Sequence, residues 1–279
     1  MRTIEAEEIT KVVKEMIKEA NYYLPEDVLR FLKNNKEKEE SSIGRDILKQ
    51  IVKNAQIACE EKMPICQDTG LTVVFLEIGN EVHINGDIYR AVNEGVRQGS
   101  QEGYLRKSVV KSPLNRVNTG DNTPAVIHTE IVPGDRLKII IAPKGGGSEN
   151  MSTVKMLKPA DGIEGIKKTV LKTVEDAGAN PCPPIIVGVG LGGTFEKAAL
   201  LAKKALLRPL DDSHPDKDVA ALENDLLNEI NKLGIGPQGL GGVTTALSVK
   251  VEVYPCHIAS LPVGININCH AARHREIIL

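Results

Sequence analysis

Three cysteines lie in segments that proline, glycine and asparagine mark as loops: Cys66, Cys182 and Cys269. They are separated by 116 positions (182 − 66) and by 87 positions (269 − 182). A zinc knuckle needs ligand pairs roughly two to four positions apart, and ferredoxin clusters also use closely spaced cysteines. The spacing alone therefore favours unrelated buried thiols, which would share a site only if the fold assembled them.

The sequence around these cysteines changes that interpretation. Five blocks together resemble the class I fumarate hydratase family, and in particular the alpha subunit of its two-chain form, with the tartrate dehydratase alpha subunit as a relative. The resemblance extends in the right order from the first predicted helix to the last residue. The blocks are Pro64-Ile-Cys-Gln-Asp-Thr-Gly70, Asn118-Thr-Gly-Asp-Asn-Thr-Pro124, Pro143-Lys-Gly-Gly-Gly-Ser-Glu-Asn150, Asn180-Pro-Cys-Pro-Pro184 and Asn268-Cys-His-Ala-Ala-Arg273.

The resemblance implies a cofactor and a reaction. In that family the three matching cysteines bind a [4Fe–4S] cluster, so Cys66, Cys182 and Cys269 are expected to be its ligands here. Three thiolates leave one iron open, as a cluster that acts as a Lewis acid requires. Cys59 and Cys256 are expected to lie in the core or close to the cluster. The implied activity is that of a hydro-lyase catalysing the reversible hydration of fumarate to (S)-malate.

Two polar residues follow the first implied ligand directly, so their side chains must lie near it. The resemblance places Gln67 and Asp68 at the substrate and gives Asp68 a part in proton transfer. The alternative is that Asp68 only caps the turn at Thr69-Gly70.

Two more site residues come from the resemblance, and a third comes from the glycine loop. His257 is expected to contact a substrate carboxylate and is grouped with Asp68 as catalytic, although a lone histidine beside a strand is more often structural. Arg106 is expected to bind the substrate, because its guanidinium suits the carboxylate of a diacid; the alternative is a surface arginine. Gly146, within the Gly145–Gly147 loop, is expected to bring backbone amides to the substrate.

A second glycine motif, Gly188-Val-Gly190-Leu-Gly-Gly193, follows a predicted strand and opens a helix, as a dinucleotide-binding fingerprint does. The acidic residue that should end a second strand roughly 20 positions later is missing. NAD binding is therefore not expected, and the glycines are assigned to packing.

The predicted elements describe an α+β fold. Residues 1–63 are expected to form a helical N-terminal region, and residues 64–279 a mixed, largely antiparallel sheet region with packed helices. Within it, the runs 125–132 and 136–142 flank a Pro-Gly-Asp turn and are predicted to pair with each other, and 81–84 is predicted to be the hairpin partner of 71–78. Further helices are predicted over 87–101, 161–177, 194–207 and 218–232, further strands over 185–189, 244–254 and 263–267, and a glycine-rich loop over 234–242.

Composition narrows the class of partner. The 35 basic and 37 acidic residues give a formal net charge of −2, which does not suggest nucleic acid or an anionic membrane as the ligand. The charged N-terminus has no signal-peptide core, and no apolar run approaches the roughly 18 residues of a membrane span. A cytoplasmic protein is expected.

The resemblance also implies a partner protein. Single-chain relatives continue into a second domain that supplies further arginine, lysine and threonine residues to the active site, and these have no counterpart here. A separate beta subunit is therefore expected, in an α2β2 assembly of two alpha and two beta subunits. The alternatives are L-tartrate dehydration, a structural zinc site at the three cysteines plus a histidine, and a non-catalytic assembly subunit.

Overall fold

A computed structural model describes residues 2–279, which form two compact units. The first unit comprises residues 2–25, 54–145 and 273–279, and the second comprises residues 26–53 and 146–272. The helices are α1 (Ala6–Tyr22), α2 (Glu26–Lys38), α3 (Ser42–Glu61), α4 (Ile88–Glu102), α5 (Gly146–Glu149), α6 (Gly162–Ala177), α7 (Phe195–Ala205) and α8 (Lys217–Lys232). The strands are β1 (Arg2–Glu5), β2 (Leu71–Gly79), β3 (Val82–Asn85), β4 (Val126–Val132), β5 (Leu137–Lys144), β6 (Thr153–Leu157), β7 (Ile185–Gly192), β8 (Ala246–Tyr254), β9 (Leu261–Asn268) and β10 (Arg275–Ile278). The predicted α+β class is confirmed.

The two units do not follow the predicted boundary at residue 63. Helix α1 packs against α4 and β5 in the first unit, whereas α2 belongs to the second unit. The apolar stripe of α1, which includes Ile9, Val13 and Ile17, is buried in the same core as strand residues of β2 and β5. A helix pattern read locally shows that a stripe exists but does not show which sheet will cover it.

The sheet of the first unit has the strand order β10-β5-β2-β4. The predicted pairing of 125–132 with 136–142 is wrong: β4 runs parallel to β2, and β5 runs antiparallel to β2 on its other side. The connection at Gly134 instead crosses the end of β2, where the N–H of Asn80 bonds Val132 and the N–H of Glu81 bonds Gly134. The composition of a turn predicts that the chain reverses direction there. It does not predict whether the two flanking strands pair with each other or with a third strand between them.

The predicted hairpin of 71–78 with 81–84 is also wrong. Strand β3 pairs in parallel with β1 at the N-terminus, in register Arg2↔Val82 through Glu5↔Asn85. The four residues of β1 lie in the region that was expected to be helical, so β1 was not among the predicted strands with which 81–84 could pair.

The sheet of the second unit has the order β6-β9-β7-β8 and carries helices on both faces. Val187 and Val189 of β7 face a core shared with α6 and α8. Gly188 and Gly190 face the other way, where a Cβ at either position would collide with backbone carbonyls of α7. The alternation along β7 therefore assigns the fingerprint-like glycines to close helix-to-sheet packing, as predicted.

The strand directions in this sheet decide which loops meet. Strand β9 is antiparallel to β7, so the start of β7 and the end of β9 lie at the same edge. Strand β8 is parallel to β7, which places the end of β8 and the start of β9 at the opposite edge. Among residues 2–279, no helix combines the length and the apolar character needed to cross a membrane.

Candidate active site

The predicted residues Cys66, Gln67 and Asp68 occupy a turn between α3 and β2 in the first unit. The backbone of the preceding residue, Ile65, is anchored by two hydrogen bonds. Its N–H donates to the carbonyl of Asn21 at 3.0 Å, and its carbonyl accepts from the side-chain amide of Asn54 at 2.8 Å. Cys66 and Asp68 are half-buried, and Gln67 is exposed. A thiol, an amide and a carboxylate are thus presented together from one anchored turn.

The Asp68 carboxylate has different surroundings at its two oxygens. Oδ1 accepts the N–H of Gly70 at 3.1 Å, which is the turn-capping hydrogen bond of the alternative interpretation. Oδ2 faces Gly145, where a Cβ would stand only 3.0 Å from it. Glycine at position 145 avoids this close contact with the carboxylate.

Arg106 is brought to the same turn by its backbone. Its N–H donates to the Thr69 hydroxyl at 3.0 Å, and this hydroxyl lies 3.4 Å from the Arg106 carbonyl oxygen. Thr69 is buried, whereas Arg106 is exposed. The side chain of Arg106 can therefore reach a ligand while its main chain is fixed.

Two residues that the sequence analysis quoted but did not assign support this turn. Asn122 is buried in a left-handed conformation, accepts from the N–H of Ser108 at 2.8 Å and donates to the carbonyl of Gly70 at 3.2 Å. Arg273 is 5% exposed and donates to the carbonyl of Asp68 through Nη2. Its Nε and Nη1 atoms are buried without a hydrogen-bond partner among the described residues. Both residues belong to the quoted sequence blocks, but only the fold shows which groups they bind.

The second unit brings Cys182 and Cys269 together. Cys182 lies just before β7 and Cys269 just after β9, and the register Ile186↔Asn268 puts both at one sheet edge. The N–H of His270 is 3.4 Å from the carbonyl oxygen of Cys182, and its Nδ1 is 2.9 Å from the same oxygen. Thiols that are 87 positions apart in sequence therefore sit on adjoining loops.

The glycine loop reaches this same edge. Helix α5 begins at Gly146, and a Cβ at Gly147 would be in ordinary contact, at 3.5 Å, with the carbonyl of Asn180, two residues before Cys182. The second unit thus gathers Gly146, Cys182 and Cys269, whereas Cys66, Gln67, Asp68 and Arg106 are gathered in the first.

His257 lies elsewhere in the second unit. It precedes β9, while Cys269 follows it, so the eight residues of the strand separate the two. At roughly 3.3 Å per residue this is a distance of about 25 Å. The imidazole Nδ1 accepts the N–H of Ala259 at 3.1 Å in a local turn. Within one chain, the structure does not bring His257 to the cysteine pair.

For the two remaining thiols, the structure contradicts burial in the core, which was one of the two predicted locations. Cys59 on α3 and Cys256 beside His257 are both exposed, not buried in the core. None of the five cysteines forms a disulfide. Cys59 lies on the solvent face of its helix, a distinction that the helix pattern alone did not resolve.

The donor set can be compared with the chemistry of the implied cofactor. Within residues 2–279, no group of three or more His, Cys, Asp or Glu side chains converges as a single metal ion would require. An iron–sulfur cluster instead takes thiolates at separate iron atoms. Within the second unit, the thiols of Cys182 and Cys269 on adjoining loops fit thiolate ligation of a cluster better than a mononuclear site.

Comparison with known proteins identifies the family of the chain. The sequence model of the Fumerase family, described as fumarate hydratase, matches residues 10–278. A Methanocaldococcus jannaschii protein, provisionally named L(+)-tartrate dehydratase subunit alpha, is 50% identical over 272 residues, covering 95% of each chain. The L(+)-tartrate dehydratase alpha subunits of Escherichia coli O157:H7 and K12 are 34% and 33% identical over 275 residues, covering 97% of this chain and 90% of theirs.

The fold is α+β, and the family match places the chain among the hydro-lyases. The chain belongs to the fumarate hydratase family. The resemblance seen in the five sequence blocks is confirmed.

Proposed function

We propose that this chain is the cluster-binding alpha subunit of a [4Fe–4S]-dependent hydro-lyase that interconverts fumarate and (S)-malate together with a beta subunit. The observation that carries the proposal is the pairing of Cys182 with Cys269 by the β7–β9 register, in a chain of the fumarate hydratase family. Cys66, on its anchored turn, is the proposed third ligand.

The cofactor would supply Lewis acidity: an iron without a protein thiolate makes the substrate hydroxyl a better leaving group. The residues of this chain would transfer the proton and bind the substrate. Asp68 would move the proton at the neighbouring carbon through its carboxylate. Arg106 would hold a substrate carboxylate by its guanidinium, Gln67 would donate an amide hydrogen bond, and Gly146 would present a backbone N–H.

His257 can take part in this reaction only from another copy of the chain. Its separation from Cys269 along β9 excludes a common substrate within one chain. We therefore propose that its predicted contact with a substrate carboxylate is made at the site of a second copy in the assembly.

A beta subunit completes the proposal. The similar proteins from M. jannaschii and E. coli are each named subunit alpha, a name that implies a separate partner for those proteins. For this chain we propose the same division of labour, in a heterotetramer of two alpha and two beta subunits.

L-tartrate is a second candidate substrate, and the names of the relatives favour it. Tartrate carries an additional hydroxyl on the carbon that loses the proton. Accepting it requires a hydrogen-bonding partner that a site for malate does not need. A few residues in either subunit could supply that difference.

The experiment is a comparison of fumarate, (S)-malate and L-tartrate as substrates of the anaerobic two-subunit complex. We expect fumarate and malate to be interconverted with the highest kcat/KM. A kcat/KM for L-tartrate that exceeds both would establish the second candidate. Turnover of none of the three by a complex with an intact cluster would contradict the hydro-lyase proposal and favour a non-catalytic assembly subunit.

A further inference from the structure

The glycine-rich loop at residues 234–242 has no part in the proposed reaction, yet it holds an unusual residue. Gln238 lies in a left-handed conformation, with φ of 53°. For a residue other than glycine, this backbone conformation costs of order 1 kcal/mol of conformational free energy, and it persists only when surrounding contacts stabilise it. The contacts of Gln238 show what holds it.

Gln238 binds the segment that carries Cys182. Its backbone N–H and its side-chain Nε2 both lie 2.8 Å from the carbonyl oxygen of Pro183, the residue after Cys182. Nε2 is also 3.2 Å from Nδ1 of His270, the residue after Cys269. One side chain therefore touches the neighbour of each proposed ligand in the second unit.

His270 closes the connection. Its Nδ1 is 2.9 Å from the carbonyl oxygen of Cys182, which can only accept a hydrogen bond. In the tautomer with a proton on Nδ1 the ring bonds Cys182, and in the other tautomer Nδ1 accepts from Gln238. In either form, the ring links the two cysteine loops.

The loop that presents Gln238 is itself anchored. The N–H of Gly236 donates to the Thr245 hydroxyl at 3.1 Å, and the N–H of Thr245 donates to Asn231 at 2.9 Å. Beyond the loop, the buried carboxylate of Glu39 accepts the N–H of Thr244 at 2.9 Å. The position of Gln238 is thus fixed by contacts independent of the cysteines.

We propose that Gln238 is a positioning residue that sets the relative placement of Cys182 and Cys269 before any cofactor binds. The significance for the cluster rests on the proposed function, but the placement of the two thiols does not. Glycine at this position would relieve the left-handed backbone but would lose the side-chain contacts with Pro183 and His270.

The test uses the full-length chain with Cys59, Cys66 and Cys256 replaced by serine, so that only Cys182 and Cys269 react. Dibromobimane, which fluoresces after bridging two thiols, then reports their proximity. We expect Gln238→Gly to lower the rate of bridging by about tenfold, equivalent to about 1.4 kcal/mol, or one hydrogen bond. We expect no fall in Tm, because glycine relieves the left-handed strain.

Arg116→Gly is the matched control, since Arg116 is exposed and also has a positive φ, of 45°. If the glycine variant loses stability, Gln238→Glu is the deciding variant, because its side chain has the same shape but cannot donate to Pro183, while the backbone hydrogen bond is kept. A bridging rate unchanged in Gln238→Glu, or lowered equally in Arg116→Gly, would overturn the proposal.

The same variants in the reconstituted two-subunit complex separate this inference from the function. Faster loss of visible cluster absorbance in air is expected for Gln238→Gly than for Arg116→Gly. Slower bridging in a chain that takes up no cluster would retain the positioning role and reject the cofactor. Equal bridging and equal cluster lifetimes would reject the positioning role and leave the cofactor in place.

Discussion

At the scale of single residues, the Asp68 carboxylate combines a structural and a chemical task that one substitution can separate. Asparagine keeps an oxygen that can accept the N–H of Gly70 but cannot carry a proton. We expect Asp68→Asn in the assembled complex to lower kcat by about 10²- to 10⁴-fold with an unchanged cluster spectrum and Tm.

Asp216→Asn is the matched control for this substitution. Asp216 caps α8 through its Oδ1, which accepts the N–H of Asp218 at 2.9 Å, and it has no place in the proposed site. Its replacement should leave kcat unchanged. Wild-type turnover in Asp68→Asn would remove Asp68 from proton transfer and leave only the turn cap.

Site residues could be identified from the sequence where they lie in a contiguous motif. They could not be identified where their role depends on a contact with a residue far away in the sequence. Cys66, Gln67 and Asp68 were identified from one contiguous block. Asn122 and Gln238 were not, because the carbonyls they bind lie 52 and 55 positions away. No local pattern distinguishes such an asparagine or glutamine from one on the surface.

At the scale of elements, β9 places His257 and Cys269 at opposite edges of one sheet, which makes the role of His257 testable by mixing. We expect complexes containing only Cys269→Ser chains, or only His257→Ala chains, to be nearly inactive. If His257 serves the site of a second copy, assemblies formed from both variants should regain about a quarter of wild-type activity, since half of a random set of dimers is mixed and holds one intact site of two.

The measurement is turnover after co-refolding or co-expression of the two variants in equal amounts. Cys269→Ser mixed with Cys182→Ser is the control, because Cys182 and Cys269 of one chain serve the same site, so each chain in the mixture carries a damaged site and no intact site can form. Activity in the control equal to that in the test mixture would contradict the trans role of His257.

A second prediction at this scale concerns Glu39, which ties α2 to the start of β8. Burial alone would raise the pKa of Glu39, but hydrogen bonds from the Thr244 hydroxyl and from the N–H groups of Ser41, Val243 and Thr244 outweigh it and hold the pKa below the ordinary 4.5. A lowered carboxylate pKa stabilises the fold above the ordinary pKa, and this contribution is lost as the pH falls through the lowered value.

Glu39→Gln should therefore lower the free energy of unfolding by about 2 kcal/mol at pH 7, and by progressively less below about pH 4.5. Urea denaturation at pH 7 and at about pH 4 measures the difference. Glu40→Gln, at the exposed neighbouring position, should have little effect at either pH. A deficit for Glu39→Gln that does not shrink on acidification would contradict the assigned cause.

Helices and the better-marked strands could be located from the sequence, but several pairings could not. The turn at Gly134 marked two strands correctly and suggested that they pair, whereas β2 lies between them. Strand β3 pairs with β1, which lies near the N-terminus, about 80 positions earlier in the sequence. Pairing depends on contacts distant in sequence, which local periodicity does not report.

At the scale of the whole molecule, the proposal divides one active site between two proteins. The chain carries the three proposed ligands and Asp68, but the resemblance assigns other substrate-binding residues to a beta subunit. We expect the isolated, anaerobically reconstituted chain to bind a cluster but to hydrate fumarate at least about 100-fold more slowly than the complex. Full activity of the isolated chain, measured as fumarate absorbance loss, would contradict the division.

The most direct test of the central claim is iron and acid-labile sulfide analysis, with electron paramagnetic resonance, of the complex purified without oxygen. A cluster held by Cys66, Cys182 and Cys269 predicts about four iron and four sulfide per alpha chain, and their loss when any of these cysteines becomes serine. Cys59→Ser should retain the full content. About one zinc per chain with no sulfide, or iron and sulfide that survive all three substitutions, would contradict the claim.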